Sequence, residues 1–291
     1  MLALIAGRGG LPAAVAGAQD TPPYVCALNG FLPDDVPVDR VFRLETIGTL
    51  IHDLSEMGVT QVCFCGAIDR PKVDPAHIDA ATAPLVPVVS AAIASGEDGG
   101  LRAIMGLFET AGMTARAAHD LAPGLVLPAG QPTRAKAPQG AGADVQTALG
   151  VLASQGVADV GQACIVHAGQ VRAREDARGT DAMLASLTAR ATPFLDDGDP
   201  VSDMMDMAGD ALGLAADWLS GDPARAGLLF KAPKPGQDLR LDLPTIGATT
   251  AKGAVDAGLA GIVIAAGGVI VLDQAEVIDI LDNAGMYLWV R

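Results

Sequence analysis

The stretch KAPKPGQDLRLDLPTIGATT, residues 231–250, gathers two lysines, an arginine and two aspartates in a chain of which only 18% is charged. Cations set beside carboxylates on one short segment suit a phosphate or metal–phosphate site, where the cations neutralise oxyanions and a carboxylate holds a metal or a water. Pro233 and Pro235 restrict the backbone and Gly236 admits a sharp turn, so Lys234, Gln237 and Asp238 are expected on a rigid loop that follows the strand ending at Lys231. In RLDLP the period of two predicts an extended segment with Arg240 and Asp242 on one face and Leu239, Leu241 and Leu243 on the other. A solvated strand face with a surface ion pair is the alternative, and it requires neither the prolines nor the glycine.

Three further segments have chemistry-bearing residues just before a helix. In AGRGGLP, a strand that ends in glycines and runs into a helix aims free backbone N–H groups and the positive end of the helix dipole at a place able to receive phosphate. Gly7 and Gly9 match the first two glycines of a dinucleotide fingerprint, but Pro12 takes the third place, and Asn29 stands where a nicotinamide enzyme carries an acid for the ribose. A nicotinamide-dependent oxidoreductase is therefore disfavoured, while a tight turn without a ligand stays open. In SGEDGGLRAI, Glu97 and Asp98 are good first-turn anions, so capping accounts for them, and Arg102 either pairs with Asp98 or reaches an anion. In EDARGTDAML, Thr180 or Asp181 either caps the next helix or joins neighbouring acids in coordinating Mg2+. His52, His77, His119 and His167 have no Ser, Cys or Asp partner at motif spacing, and no hydrolase elbow, zinc or Walker motif occurs.

Short apolar runs alternate with helical periodicity through the first third (LALIA, YVCAL, VFRL, QVCFC), which predicts a parallel sheet with helices on both faces. A Pro/Gly/Ala-rich stretch without periodicity follows, and beyond it a hairpin around His-Ala-Gly-Gln and a second strand–helix alternation. The expected organisation is an α/β chain with an N-terminal domain over 1–128, a linker over 129–142 and a C-terminal α/β domain over 143–291. Of the 291 residues 50% are hydrophobic and 3% aromatic, in keeping with tightly packed helices on sheets, and the net charge of -15 argues against a binder of nucleic-acid backbones. Cys26, Cys63, Cys65 and Cys164 lie in apolar strands without ligand spacing, so buried reduced thiols and a cytoplasmic setting are expected. The first apolar run is too short for a secretory signal, and no later run reaches the ~18 residues of a membrane span.

Taken in order, IAGRGGLP, CGAIDRP, GEDGGLRAI, DVGQACIV, EDARGTDAML and KAPKPGQDLRLDLPTIG resemble the LpxI-type UDP-2,3-diacylglucosamine pyrophosphatases of lipid A biosynthesis over almost the entire chain. The last of these segments is the most specific. Arg178 stands where the family commonly has a second Glu, and Glu97 where it often has Asp. The resemblance implies a Rossmann-like N-terminal domain and a mixed α/β C-terminal domain with the lipid between them. It also implies hydrolysis of UDP-2,3-diacylglucosamine to UMP and 2,3-diacylglucosamine 1-phosphate (lipid X), with Mg2+ assisting water at the β-phosphorus, and a homodimer. The expected place is the cytoplasm, with at most transient, peripheral contact with the inner membrane. A non-catalytic nucleotide-sugar or lipid-binding regulator on the same fold is the rival reading.

For this chemistry Asp242 is the leading candidate, as metal ligand or general base, with Asp181 and Asp238 as further metal ligands and Lys234 and Arg240 as phosphate contacts. Gly7, Gly9 and Gly10, together with Gly96, Asp98 and Gly99, are expected to hold part of the nucleotide or diphosphate, and Thr180, Gln237 and Thr245 complete the substrate-binding set. The apolar helices at Met183–Leu187 and Met204–Leu219 are candidate walls for the acyl chains, or plain core.

Overall fold

The structure is a computed structural model that describes residues 1–69, 73–94, 97–158, 160–191, 227–241 and 243–291. The early apolar runs become β1 (Leu2–Ala6), β2 (Tyr24–Leu28), β3 (Arg40–Phe42) and β4 (Gln61–Cys65), joined at the edge by the short β5 (Thr114–Ala115). They form one parallel sheet in the order β3-β2-β1-β4-β5. Alternate residues of the central strands point to opposite faces, and both faces are apolar, as a parallel sheet with covered sides requires. Ala3, Ile5, Val62 and Phe64 meet α2 (Ile47–Glu56) and α4 (Glu97–Thr110), through Leu50, Leu54, Met105 and Phe108. Leu4, Ala6, Val25 and Cys63 meet only short helices of this half, α1 (Leu11–Gly17) and α5 (Ala118–Leu121). Val36, Val38, Leu125 and Val126 also pack on that second face, together with Leu243, Ile270 and Leu272, which come from the far end of the chain. Between α2 and α4 lies α3 (Val86–Ala94).

A second five-stranded sheet begins after α6 (Ala141–Val157) with the hairpin β6 (Ala163–His167) and β7 (Gln170–Arg174). Ala168 and Gly169, at the centre of its turn, both have positive φ, 49° and 76°, the handedness that matches the strand twist in a two-residue hairpin. The other strands are β8 (Leu228–Lys231), β10 (Gly261–Ile264) and β12 (Tyr287–Val290), and the order is β12-β10-β8-β6-β7. β8, β10 and β12 run parallel, whereas β6 is antiparallel to β8, so the sheet is mixed. One face packs on α7 (Thr180–Ala191), α8 (Ala248–Asp256) and α9 (Gln274–Asn283), the other on α6. A third sheet of two parallel strands, β9 (Thr245–Ile246) and β11 (Ile270–Val271), lies between the halves, and Ile270 also bridges to Val126.

The Pro/Gly/Ala-rich stretch expected as a linker is strapped along β12. Gly130 and Val290 exchange backbone hydrogen bonds of 2.8 Å, and Thr133 Oγ1 accepts from the Leu288 N–H at 2.8 Å. Arg134 binds Asp282 through its backbone N–H at 2.7 Å and its Nε at 3.0 Å. Met183 and Leu184, read above as candidate cavity walls, are core residues packed under α8 and α9; the companion segment Met204–Leu219 lies outside the described residues. All four cysteines are free and buried, and burial pushes the Cys26 and Cys164 thiols up to about 12, which leaves them unreactive at neutral pH. Among the described residues no helix is long and apolar enough to cross a membrane.

Phe108 is fully buried and meets Phe64 edge to face with ring centroids 5.4 Å apart, which seats α4 on the N-terminal sheet. Phe108→Ala is expected to cost about 3–5 kcal/mol in urea unfolding, with Phe108→Leu recovering more than half of the loss.

Candidate active site

β8 is the central strand of the mixed sheet, and its C-terminal end is where an α/β sheet most readily places a ligand. A lysine ending a buried strand must find partners, because an isolated ammonium in an apolar setting is costly. Lys231 is 8% exposed; its Nζ donates to Thr180 Oγ1 at 2.7 Å and to the Thr245 carbonyl at 3.0 Å. The Thr180 hydroxyl, having accepted from Lys231, donates to Glu175 Oε1 at 2.6 Å. Glu175, also buried, takes the Gln162 N–H on its other oxygen, and its carbonyl accepts from Gln155 Nε2 at 2.9 Å. Gly161 makes this packing possible: its φ is 69°, and a Cβ there would stand 2.4 Å from the Glu175 carbonyl oxygen. One chain of hydrogen bonds thus joins α6, the β7–α7 loop, the first residue of α7, the end of β8 and β9.

Asp181, the next residue of α7, is exposed and accepts from Thr250 Oγ1 of α8 at 3.1 Å. Thr180, Asp181 and Thr245 are therefore brought to one end of β8. The loop after β8 also forms as predicted. Pro235 and Gly236 are at its bend, Gly236 with φ 78°, and the Gln237 N–H reaches the Lys234 carbonyl at 3.1 Å. Gln237 Oε1 accepts from the Lys234 N–H at 2.8 Å, and Lys234 is 7% exposed.

Beyond Gln237 the expected extended segment is not what forms: Leu239–Leu241 make a turn. Its cause is local. Asp238 Oδ1 accepts the Arg240 backbone N–H at 3.1 Å and Nε at 3.0 Å, while Oδ2 accepts Nη2 at 2.7 Å, and this capture curls the chain before alternation can begin. Arg240 Nη1 reaches out of its own half to Glu109 Oε1 of α4 at 2.9 Å. Leu241 joins the N-terminal cluster of α2 and α4, and Leu243 enters the cluster on the opposite face of that sheet. Asp242 and Gly96 lie outside the described residues, as does the side chain of Asp98; Gly99 is in the first turn of α4.

Gly7, Gly9 and Gly10 form the turn between β1 and α1. Gly7 is required there, since a Cβ would stand 2.6 Å from the Ala67 carbonyl oxygen. Arg8 exchanges backbone hydrogen bonds of 2.9 Å with Ala67, its guanidinium pairs with Asp69, and it lies over the Phe31 ring. Among the described residues the hydrogen bonds of this turn stay within the N-terminal half and do not reach the end of β8.

Thr250 and Glu109 belong to the site's framework and were not singled out by type and spacing, while Lys231 and Glu175 entered only as one of two lysines and as a neighbouring acid. Lys231 carried a usable signal, a cation closing an apolar strand. Glu109 carried none, because its partner is 131 residues away.

Two outcomes are expected. Thr180→Val leaves Lys231 and Glu175 each short of a buried hydrogen bond and should cost about 1–3 kcal/mol in chemical denaturation, with Thr180→Ser restoring most of it. The hydrogen bonds from Arg240 hold the Asp238 carboxyl below its usual range, against a desolvation effect that raises it. A depressed folded value means the contact is complete above the ordinary carboxylate pKa and is lost as pH falls through the lowered one. Carboxyl NMR of Asp238 should therefore show a midpoint below that of an ordinary aspartate, and Arg240→Ala should bring it back up towards the ordinary value.

Comparison with known proteins places the whole chain in one family. The family model described as LpxI N-terminal domain matches residues 1–125, and that described as LpxI C-terminal domain matches residues 128–289. A curated relative, UDP-2,3-diacylglucosamine pyrophosphatase LpxI of Caulobacter vibrioides, is 33% identical over 294 residues, covering 99% of this chain and 96% of the relative. The chain belongs to the LpxI family.

Proposed function

We propose that this chain hydrolyses the diphosphate of UDP-2,3-diacylglucosamine, yielding UMP and 2,3-diacylglucosamine 1-phosphate for lipid A biosynthesis. The observation that carries the reading is the end of β8, where a chain of net charge -15 keeps two lysines largely buried, Lys231 closing the strand and Lys234 in the loop that follows. Family membership and the relative's activity support the choice of substrate.

In the proposed reaction the oxygen of a water bonds to the β-phosphorus. The bond from the β-phosphorus to the bridging oxygen breaks, and that oxygen leaves on the α-phosphorus as UMP. Lys234 and Arg240 neutralise the diphosphate oxygens, lowering the repulsion that an incoming nucleophile meets. Asp238, with both carboxylate oxygens on Arg240, acts by holding the guanidinium in place. Lys231 acts at one remove, fixing Thr180 and with it the start of α7, from which Asp181 projects. Asp242 orients the water or takes its proton.

Asp181 is exposed, and its Oδ2 accepts no hydrogen bond among the described residues, which leaves a hard oxygen donor suited to Mg2+. Mg2+ is bound by one or two carboxylates completed by water and phosphate oxygens, so Asp181 and Asp242 would hold it. When bound, the ion supplies charge neutralisation at the diphosphate.

The test is release of UMP from UDP-2,3-diacylglucosamine by the purified chain with and without Mg2+. Turnover is expected only with the ion, and in 18O-water the label should enter the sugar phosphate and not UMP. Asp242→Ala should fold and bind substrate yet lose turnover. Substrate binding without UMP release by the unsubstituted chain would leave a binding protein, and label in UMP would move the attack to the α-phosphorus.

A further inference from the structure

We propose that Glu109 of the N-terminal half is a positioning residue for the reaction, acting through Arg240 to fix the loop that carries the phosphate contacts. This inference rests on the reading of Arg240 as a diphosphate contact. Glu109 lies in the last turn of α4, and among the described residues its side-chain partner is Arg240.

Three features of α4 converge on the loop. Glu109 Oε1 accepts from Arg240 Nη1 at 2.9 Å, across the boundary between the two halves. Arg102, seven positions earlier and so two turns back on the same helix face, lies close enough to Asp238 for its charge to lower that carboxyl further, beyond the larger effect of Arg240. Leu241, the residue after Arg240, packs into the cluster that contains Leu101, Ile104 and Phe108 of α4. α4 thus offers a carboxylate and a cation on one face, and an apolar seat on the neighbouring face, to consecutive parts of the loop.

The guanidinium is bracketed from both halves of the molecule. Asp238 takes Nε and Nη2, and Glu109 takes Nη1, which uses three of the five N–H donors of an arginine. The plane of the group is then set by two carboxylates on different elements, and two donors remain for phosphate oxygens. Arg240 and Glu109 are 43% and 39% exposed, so a ligand can approach, and an ion pair this open contributes little to stability. Its effect is on orientation, and misplacement of a charge-stabilising group by a fraction of an ångström to 1 Å is enough to cost ~10- to 100-fold in rate.

The experiment compares Glu109→Ala, Glu109→Gln, Arg240→Ala and the double substitution Glu109→Ala/Arg240→Ala in the full chain, reading kcat and KM for UMP release together with the thermal midpoint. Glu109→Ala is expected to lower kcat about tenfold with KM within about twofold and the midpoint unchanged within about 2 °C. Glu109→Gln, whose amide oxygen still accepts from Nη1, should stay within about threefold of the unsubstituted chain. In the Arg240→Ala background the added Glu109→Ala should change kcat by less than about twofold, because the two act as one unit. Undiminished kcat in Glu109→Ala, a loss that multiplies in full with that of Arg240→Ala, or a loss of the same size in Ala and Gln variants would each overturn the proposal. If Arg240→Ala itself retains full turnover, the assignment of Arg240 to the diphosphate fails and this role fails with it. If Arg240→Ala is slow and Glu109→Ala is not, only the role of Glu109 fails.

Discussion

A parallel sheet needs both of its faces out of water, and in this molecule the N-terminal sheet cannot meet that need with its own helices. α2 and α4 cover one side fully. The other receives the seven residues of α1, the four of α5 and a few loop side chains such as Val36 and Val38, and Leu243, Ile270 and Leu272 pack on it from the far end of the chain. These residues flank or form the small β9–β11 sheet, so the N-terminal core is complete only when the last quarter of the chain has reached it. The two halves are therefore joined by shared core as well as by the covalent connection.

That constraint explains where the charged loop lies. β8 ends in the C-terminal sheet at Lys231, and β9 begins at Thr245 in the seam, so residues 232–244 must cross from one half to the other. The crossing is tied at each stage: the Ala232 N–H to the Gln162 carbonyl at 3.1 Å, the Lys234–Gln237 turn, the Asp238–Arg240 capture, then Leu241 and Leu243 on opposite faces of the first sheet. Polar anchoring dominates on the C-terminal side and apolar anchoring on the N-terminal side. The Glu175–Thr180–Lys231 chain supplies the first kind, and it keeps two buried charged groups hydrogen-bonded at a strand end where neither could be left alone.

Much of this was legible in the residues. The apolar runs and their punctuation placed β1, β2, β4 and most helices, and the His-Ala-Gly-Gln turn announced the hairpin. Pro235 and Gly236 fixed the bend of the charged loop through backbone restrictions that act within a few residues. The failure at Arg240 is instructive for the same reason. A period of two in RLDLP is a weak preference worth little until strands pair, and the Asp238 carboxylate two residues away offered the backbone a closer partner. What could not be read was anything decided at long range: that Leu241 would find α4, that Glu109 would meet Arg240, and that β9 and β11 would leave the main sheet to pair with each other. Met183 and Leu184 show the converse limit, since an apolar stripe looks the same whether it lines a cavity or fills a core.

The strap along β12 has a consequence for the behaviour of the protein in concentrated solution. β12, YLWV, is the outermost strand of its sheet and almost entirely apolar, and the outward N–H groups of such a strand are a template on which another chain can add. Here the Leu288 and Val290 N–H groups are already taken by Thr133 and Gly130. The opposite edge, β7, is QVRAR, whose arginines put like charges in the path of any strand that would dock there. The Pro/Gly-rich stretch thus guards one edge against self-association, while charge discourages it at the other.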